Sequence, residues 1–306
     1  MNSRPANILL YLAFITNIFL FGSSWIFNKM VLQEGAPPLW AAAMRQSIAA
    51  IVFICIFLIK RPPLRLHKKH IKLILLYGVF MTCLAHIFAF AGQQYIYSGL
   101  ASIIFSFFPL AIILISGFLI PKKEPLTLRK VVGALIGIAG VTVIFYRGGA
   151  AEFSPAASLG ILFILFSVFL NAVPNVIIKR DGFELDPLIL NTGGMLTGSL
   201  LLLIIAFSVD GIPDFVLTKK MLLAELYLGI FCSAAAFFLY FWLLRHISVF
   251  KLSLSAYLTP LVAVFLGFVF YDEILSHHHY IGMLLIFTGI FVTEIKNYVR
   301  LLHKKL

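Results

Sequence analysis

The feature that most constrains this chain is a succession of apolar runs, each about as long as a bilayer is thick. A spanning helix needs about 20 mostly apolar residues at about 1.5 Å rise each. Ten segments meet that length: 8–27, 38–59, 71–91, 98–120, 127–146, 157–178, 186–208, 221–244, 249–270 and 277–295. The connections are short, and none has room for a soluble domain. A soluble globule could not bury so much apolar surface. Hydrophobic residues make up 61% and charged residues 12% of the 306, against about 45–50% and 25% in soluble domains. The same apolar excess excludes disorder. The expected fold is an all-α polytopic membrane protein with ten transmembrane helices. The first run lacks a small-x-small cleavage pattern and leads into Gly22-Ser23-Ser24-Trp25, so it is expected to remain as a span rather than to be removed as a signal peptide.

The formal charge of +12 would point to nucleic acid in a soluble chain. In a membrane chain it has to be sorted by side. With the N-terminus inside, 19 of the 24 Lys and Arg residues fall at cytoplasmic positions, and only Lys29, Arg147, Lys219 and Lys220 fall on the other face. Arg45 alone lies within a span. That asymmetry places both termini in the cytoplasm by the positive-inside rule, and no nucleic-acid partner is expected. Cys55, Cys83 and Cys232 lie inside apolar runs, without metal or disulfide spacing, and read as packing residues.

The two halves repeat. Pro38 and Pro187 open the second and seventh segments, Pro109 and Pro260 sit mid-way along the fourth and ninth, and Glu124 matches Glu273. Gly133 matches Gly282, and Gly140 matches Gly289. All these offsets are 149 to 151 residues. Five helices per half is an odd number, so the second half enters the membrane upside down. The expected organisation is therefore two inverted five-helix repeats, 1–148 and 149–306. Inverted repeats of this kind recur in secondary transporters, with the substrate site near the midplane between them.

Few groups within the spans carry chemistry. Pro109 and Pro260 remove a backbone donor each, freeing the carbonyls of Phe105 and Ala256. They read either as paired hinges beside a cavity or as static kinks. Arg45 costs on the order of several kcal/mol to bury alone. It either holds a carboxylate or phosphate of a substrate, or serves as a structural arginine. His86 is a candidate proton carrier or a packing residue. All twelve acidic residues fall in loops or near span ends, with Glu225 and Glu294 nearest the membrane, so no buried-carboxylate relay is expected. The aromatic content and the single buried cation favour a neutral or zwitterionic cargo. Gly133-x3-Gly137 and Gly194-x3-Gly198 suit close helix packing, within the chain or in a weak homodimer; a monomer is the other expectation. His277-His278-His279 reads as a solvated helix start rather than a metal site. No nucleotide, zinc-protease or nucleophile-elbow motif occurs, so no cofactor, metal or catalytic residue is expected.

Ten spans in two five-helix repeats resemble the EamA-type branch of the drug/metabolite transporter superfamily. The specific echoes are Gly22-Ser23-Ser24-Trp25, Arg45, Ala101–Pro109, Glu124 before the glycine-bearing fifth span, and Leu254–Pro260 with Glu273. The second repeat departs by carrying Asn171-Ala172-Val173-Pro174 in place of Gly-Ser-Ser-Trp. The resemblance implies a secondary active transporter of the bacterial inner membrane, exporting an amino acid or other small metabolite by alternating access. It implies a site between spans 1, 3, 4, 6, 8 and 9. Candidate substrate-binding residues there are Ser24, Trp25, Arg45, His86, Gln93, Ser102, Ser106, Asn171, Asn175, Tyr240, Ser253 and Tyr257, with Pro109 and Pro260 as hinges. Expected partners are a small-molecule substrate and membrane lipid. The alternatives are a lipid flippase or scramblase on the same fold, or a polytopic membrane enzyme acting on lipid. The enzyme would need buried paired carboxylates, a metal cluster or a nucleophile with its base.

Overall fold

A computed structural model describes residues 7–64, 66–119, 127–146, 155–181, 185–212, 214–246 and 255–303. Among the described residues the chain is helical, with no strand. In chain order the elements are α1 (Asn7–Gln33), α2 (Pro38–Lys60), α3 (Lys68–Leu76), a π-helical stretch Tyr77–Leu84, α4 (Ala85–Gln93), α5 (Ser98–Phe105), α6 (Phe108–Leu119), α7 (Leu128–Tyr146) and α8 (Pro155–Asp181). They continue with α9 (Pro187–Val209), α10 (Lys219–Leu226), a second π-helical stretch Tyr227–Ala235, α11 (Ala236–His246), α12 (Ser255–Tyr271) and α13 (His277–His303).

Among the described residues, seven helical runs are long and apolar enough to cross a membrane: Ile8–Gln33, Pro38–Lys60, Lys68–Gln93, Ser98–Leu119, Pro155–Asp181, Pro187–Val209 and Lys219–Tyr240. Leu258–Tyr271 is a shorter apolar helix. Large side chains such as Ile51, Ile59, Phe118 and Ile204 project outward from these helices. An exposed apolar surface of that extent needs lipid around it, so the chain is an integral membrane protein. Cys55 is exposed on that surface, contrary to its reading as a packing residue, whereas Cys83 and Cys232 are buried.

Local sequence explains where the helices start and stop. Pro38 and Pro187 stand in the first turns of α2 and α9, where the missing N–H has no intrahelical partner to lose. Asp186 caps α9 by accepting from the Leu188 amide at 2.7 Å. The expected span 98–120 is broken at Ser106–Phe107. Pro109 therefore falls in the first turn of α6 rather than mid-helix, and the break absorbs its missing donor. Pro260 lies inside the continuous α12, so the two prolines stand in different local structures.

Small residues allow the closest contacts. A Cβ on Gly133 of α7 would collide with the Gly289 carbonyl and Thr293 of α13; one on Gly140 would lie 2.7 Å from the Gly282 carbonyl. On α9, Gly194 faces the Tyr77 ring and Gly198 faces Thr82 and the Gly78 carbonyl. Both glycine pairs singled out in the sequence thus pack within the chain. Helix α2 packs on α9, α7 on α13, α4 and α6 on α8, and α1 on α12.

Candidate functional site

A cavity of about 190 Å³ opens among these helices. One water needs roughly 10–15 Å³ on a comparable measure, so the space suits a small metabolite. Its wall takes residues from α1, α2, α4, both sides of the α5–α6 break, α8, α11 and α12. The α5–α6 break and the first π-helical stretch both border it.

One wall is aromatic. Trp25 packs on Phe105 with ring centroids 5.3 Å apart, Phe105 stacks on Phe108 at 5.7 Å, and Tyr240 meets Phe21 edge-on at 6.3 Å. The polar groups are spaced between these rings. Ser102 is buried, and its Oγ has no hydrogen-bond partner among the described residues. Ser106 Oγ donates to the Ile103 carbonyl at 2.6 Å, and Ser24 Oγ to that of Phe21 at 2.9 Å. On α8, Asn171 Nδ2 donates to the Ser167 carbonyl at 2.9 Å and Asn175 Nδ2 to the Asn171 carbonyl at 3.0 Å. His86 Nδ1 stands 2.9 Å from the Met81 carbonyl, five residues back through the π-helical turn. A carbonyl only accepts, so Nδ1 carries the proton, and in the neutral ring Nε2 is left as an acceptor.

Arg45 borders the cavity and is 4% exposed. Its Nη1 donates to Asn28 Oδ1 at 2.9 Å, its Nε to Ser233 Oγ at 2.8 Å, and its Nη2 to the Cys232 carbonyl at 3.4 Å. Asn28 Nδ2 donates on to Gln93 Oε1 at 2.9 Å, and Gln93 Nε2 to the Trp25 carbonyl at 2.8 Å. Gln93 thus stands behind the wall, holding Trp25, rather than on it. Among the described residues no carboxylate lines the cavity.

The structure therefore gathers Ser24, Trp25, Arg45, His86, Ser102, Ser106, Asn171, Asn175, Tyr240, Pro109 and Pro260 around one space. Ser253 lies outside the described residues, as does the side chain of Tyr257. Three charged residues that do not line the cavity have placements the sequence did not indicate. Lys29 Nζ donates to the carbonyls of Gln93 at 2.9 Å and Ile96 at 3.1 Å, where α4 ends. Glu273, noticed only as a repeat match, accepts from Ser98 N, Ser98 Oγ and Gly99 N at 2.9, 2.7 and 3.1 Å. It caps the start of α5. Glu225, placed at the membrane fringe by the sequence, is 1% exposed. Glu225 stands four residues before Gly229, which packs on α2. Near the end of α1, Glu34 accepts from Lys220 at 2.9 Å and Thr218 at 2.7 Å. Both bonds, that of Lys220 first, hold its carboxyl below the usual carboxylate range. In the His277–His279 run, Ser276 engages His279 Nδ1 at 2.9 Å and His278 Nε2 at 3.0 Å.

Fold and cavity together define a helical integral membrane protein built around a central, partly polar pocket. The family model described as the EamA-like transporter family matches residues 8–146 and again residues 158–295. The chain belongs to that family. It is 25% identical over 281 residues to the uncharacterized transporter YoaV of Bacillus subtilis, covering 92% of this chain and 95% of that one. The Salmonella typhimurium protein PagO is 25% identical, over 96% of this chain and 94% of its own. A Chlamydia trachomatis protein named as an S-adenosylmethionine/S-adenosylhomocysteine transporter is 27% identical, over 87% and 83%. A crystal structure of another protein shares the fold, with a TM-score of 0.66 at 22% identity over 95% of this chain and 98% of its own.

Proposed function

We propose that the protein is a secondary active transporter that exports a small neutral or zwitterionic metabolite, such as an amino acid, by alternating access around the central cavity. The observation that carries this reading is the composition of the cavity wall: an aromatic face, spaced hydroxyl and amide groups, and a single guanidinium. A polyanion would call for more buried cations than Arg45 supplies. A zwitterion with an apolar body matches the wall better. The compounds in the Chlamydia relative's name carry an amino-acid end and an aromatic base, which is compatible with it.

The access mechanism rests on ten spans in two inverted halves, 1–148 and 149–306. Several observations support that organisation. The family model matches twice, with starts 150 residues apart. The π-helical stretches begin at Tyr77 and Tyr227, the same distance apart. In the repeat Gly133 corresponds to Gly282 and Gly140 to Gly289, yet the contacts run Gly133 to Gly289 and Gly140 to Gly282. Such reciprocal contacts are what a two-fold axis between α7 and α13 generates. The distribution of basic residues supports cytoplasmic termini in a bacterial inner membrane.

Purified protein screened by thermal shift against amino acids and other metabolites, then reconstituted for counterflow with each hit, tests the reading. Saturable exchange of a stabilising compound is expected. Lipid scrambling or lipid turnover without saturable flux of any hit would replace it with one of the lipid-directed alternatives.

A further inference from the structure

Glu225 is an anomaly that the cavity alone does not explain. It sits six residues past the start of α10, about 9 Å along the helix at about 1.5 Å per residue. It is 1% exposed, and neither carboxyl oxygen has a hydrogen-bond partner among the described residues. Gly229, one turn on along the same face, abuts the Arg45 carbonyl and Ile48 of α2, so Glu225 is carried on the face that packs against the arginine's helix. The two side chains interact electrostatically, though no ion pair joins them. Arg45 is instead engaged by Asn28, Ser233 and the Cys232 carbonyl.

An ionised carboxylate in such surroundings is tolerated only with a cation in contact. Loss of the Glu225 proton and capture of Arg45 must therefore go together. Arg45 leaving Asn28 would break the first link of the chain Arg45–Asn28–Gln93–Trp25, which ends on the cavity wall. We propose that Glu225 is the proton-exchange site of the transport cycle, with Arg45 passing between Asn28 and the Glu225 carboxylate as the proton leaves and returns. This rests on the transport reading above and adds the coupling ion to it. On release the Glu225 O–H bond breaks as the proton forms an O–H bond with water to give hydronium, and the return step reverses this, with no change of oxidation state.

The other titratable groups around Glu225 are engaged. The elements packed most closely on α10 are α1, α2 and the second π-helical stretch. From α2 the charged group is Arg45. From α1, Lys29 is held by two carbonyls, and Glu34, just beyond the helix end, is paired with Lys220. On the π-helical stretch, Tyr227 and Cys232 both contact Ser23 Oγ. His86 lines the cavity together with Arg45.

The test needs no cargo, so its failure is separate from a failure of the transport reading. In a Trp40→Phe, Trp242→Phe background, Trp25 emission is followed as pH is stepped from acid to alkaline. In parallel, infrared spectra follow the carbonyl stretch of protonated carboxylic acids. The expected result is a change in Trp25 emission over the same pH interval in which a carboxylic-acid band disappears. Glu225→Gln should melt as the parent does, hold the acid-form emission at every pH and lack the band. His86→Gln should retain the response. An unchanged response in Glu225→Gln, or its loss in His86→Gln alone, overturns the proposal. Should Glu225→Gln fail to fold, the parent spectra decide: no carboxylic-acid band lost where Trp25 responds refutes it. An intact pH response without flux of any compound would instead strike the transport reading.

Discussion

Arg45 and Ser102 border the same cavity but stand in opposite energetic positions. Arg45 is tied to three groups, so truncating it leaves Asn28 Oδ1 and Ser233 Oγ to find new partners in a low-dielectric interior. Each such loss costs about 1–3 kcal/mol. Arg45→Ala is expected to lower the melting temperature in detergent and to abolish flux. Ser102 Oγ has no bond within the protein to lose. Ser102→Ala should melt like the parent, while KM for the transported compound rises roughly tenfold, the equivalent of about 1.4 kcal/mol. Equal KM values in the parent and Ser102→Ala would remove Ser102 from the binding surface. Most of the polar residues around the cavity were legible in the sequence, because polar side chains within apolar runs need a reason to be there. The use each makes of its bonds was not legible. Nothing in the spacing of Asn28, Arg45 and Gln93 says that they form one chain. The burial of Glu225 was hidden for a different reason. It lies close to a span end in sequence, and nothing in that position says that Gly229, one turn on, packs against α2.

Among the elements, α7 and α13 meet through backbone rather than side chains at Gly133 and Gly289. Gly133→Leu would force the pair apart, with an overpacking cost of about 1–3 kcal/mol or more. A lower melting temperature, partly restored by trimming Thr293 to Ala, is the expected outcome. An unchanged melting temperature would mean that the contact is not kept. The Glu34 contacts tie α1 to the start of α10. The Glu34 carboxyl is held below its usual range in the folded protein. Its contribution is therefore present above the ordinary carboxylate pKa and is lost as pH falls through the lowered folded value. Glu34→Gln should flatten the acid side of the melting profile by a small amount, since the pair is solvent-exposed. A profile identical to the parent's would show that the tie contributes nothing. Helix positions were readable from apolar length, and Pro38 and Pro187 correctly marked helix starts. The π-helical stretches were not readable. A uniformly apolar run such as Tyr77–Leu84 carries no contrast from which a shift in helical period could be seen. The break at Ser106–Phe107 was indicated by Pro109, although the proline proved to begin the next helix rather than to kink a continuous one.

At the scale of the whole molecule, the sequence stated the membrane class directly through its apolar runs, and the structure adds the close contact of α7 with α13. Composition alone could not have separated a transporter from a polytopic lipid enzyme; membership of the EamA-like transporter family favours the transporter. The central claim is that one cavity is reached alternately from the two faces. A single cysteine at Ser102, in a background lacking Cys55, Cys83 and Cys232, reports on it directly. Vesicles of known orientation are treated with a membrane-impermeant maleimide from one face at a time, with and without the transported compound. Labelling from either face, slowed from both by that compound, is the expected result. Labelling confined to one face under every condition would contradict alternating access around this cavity.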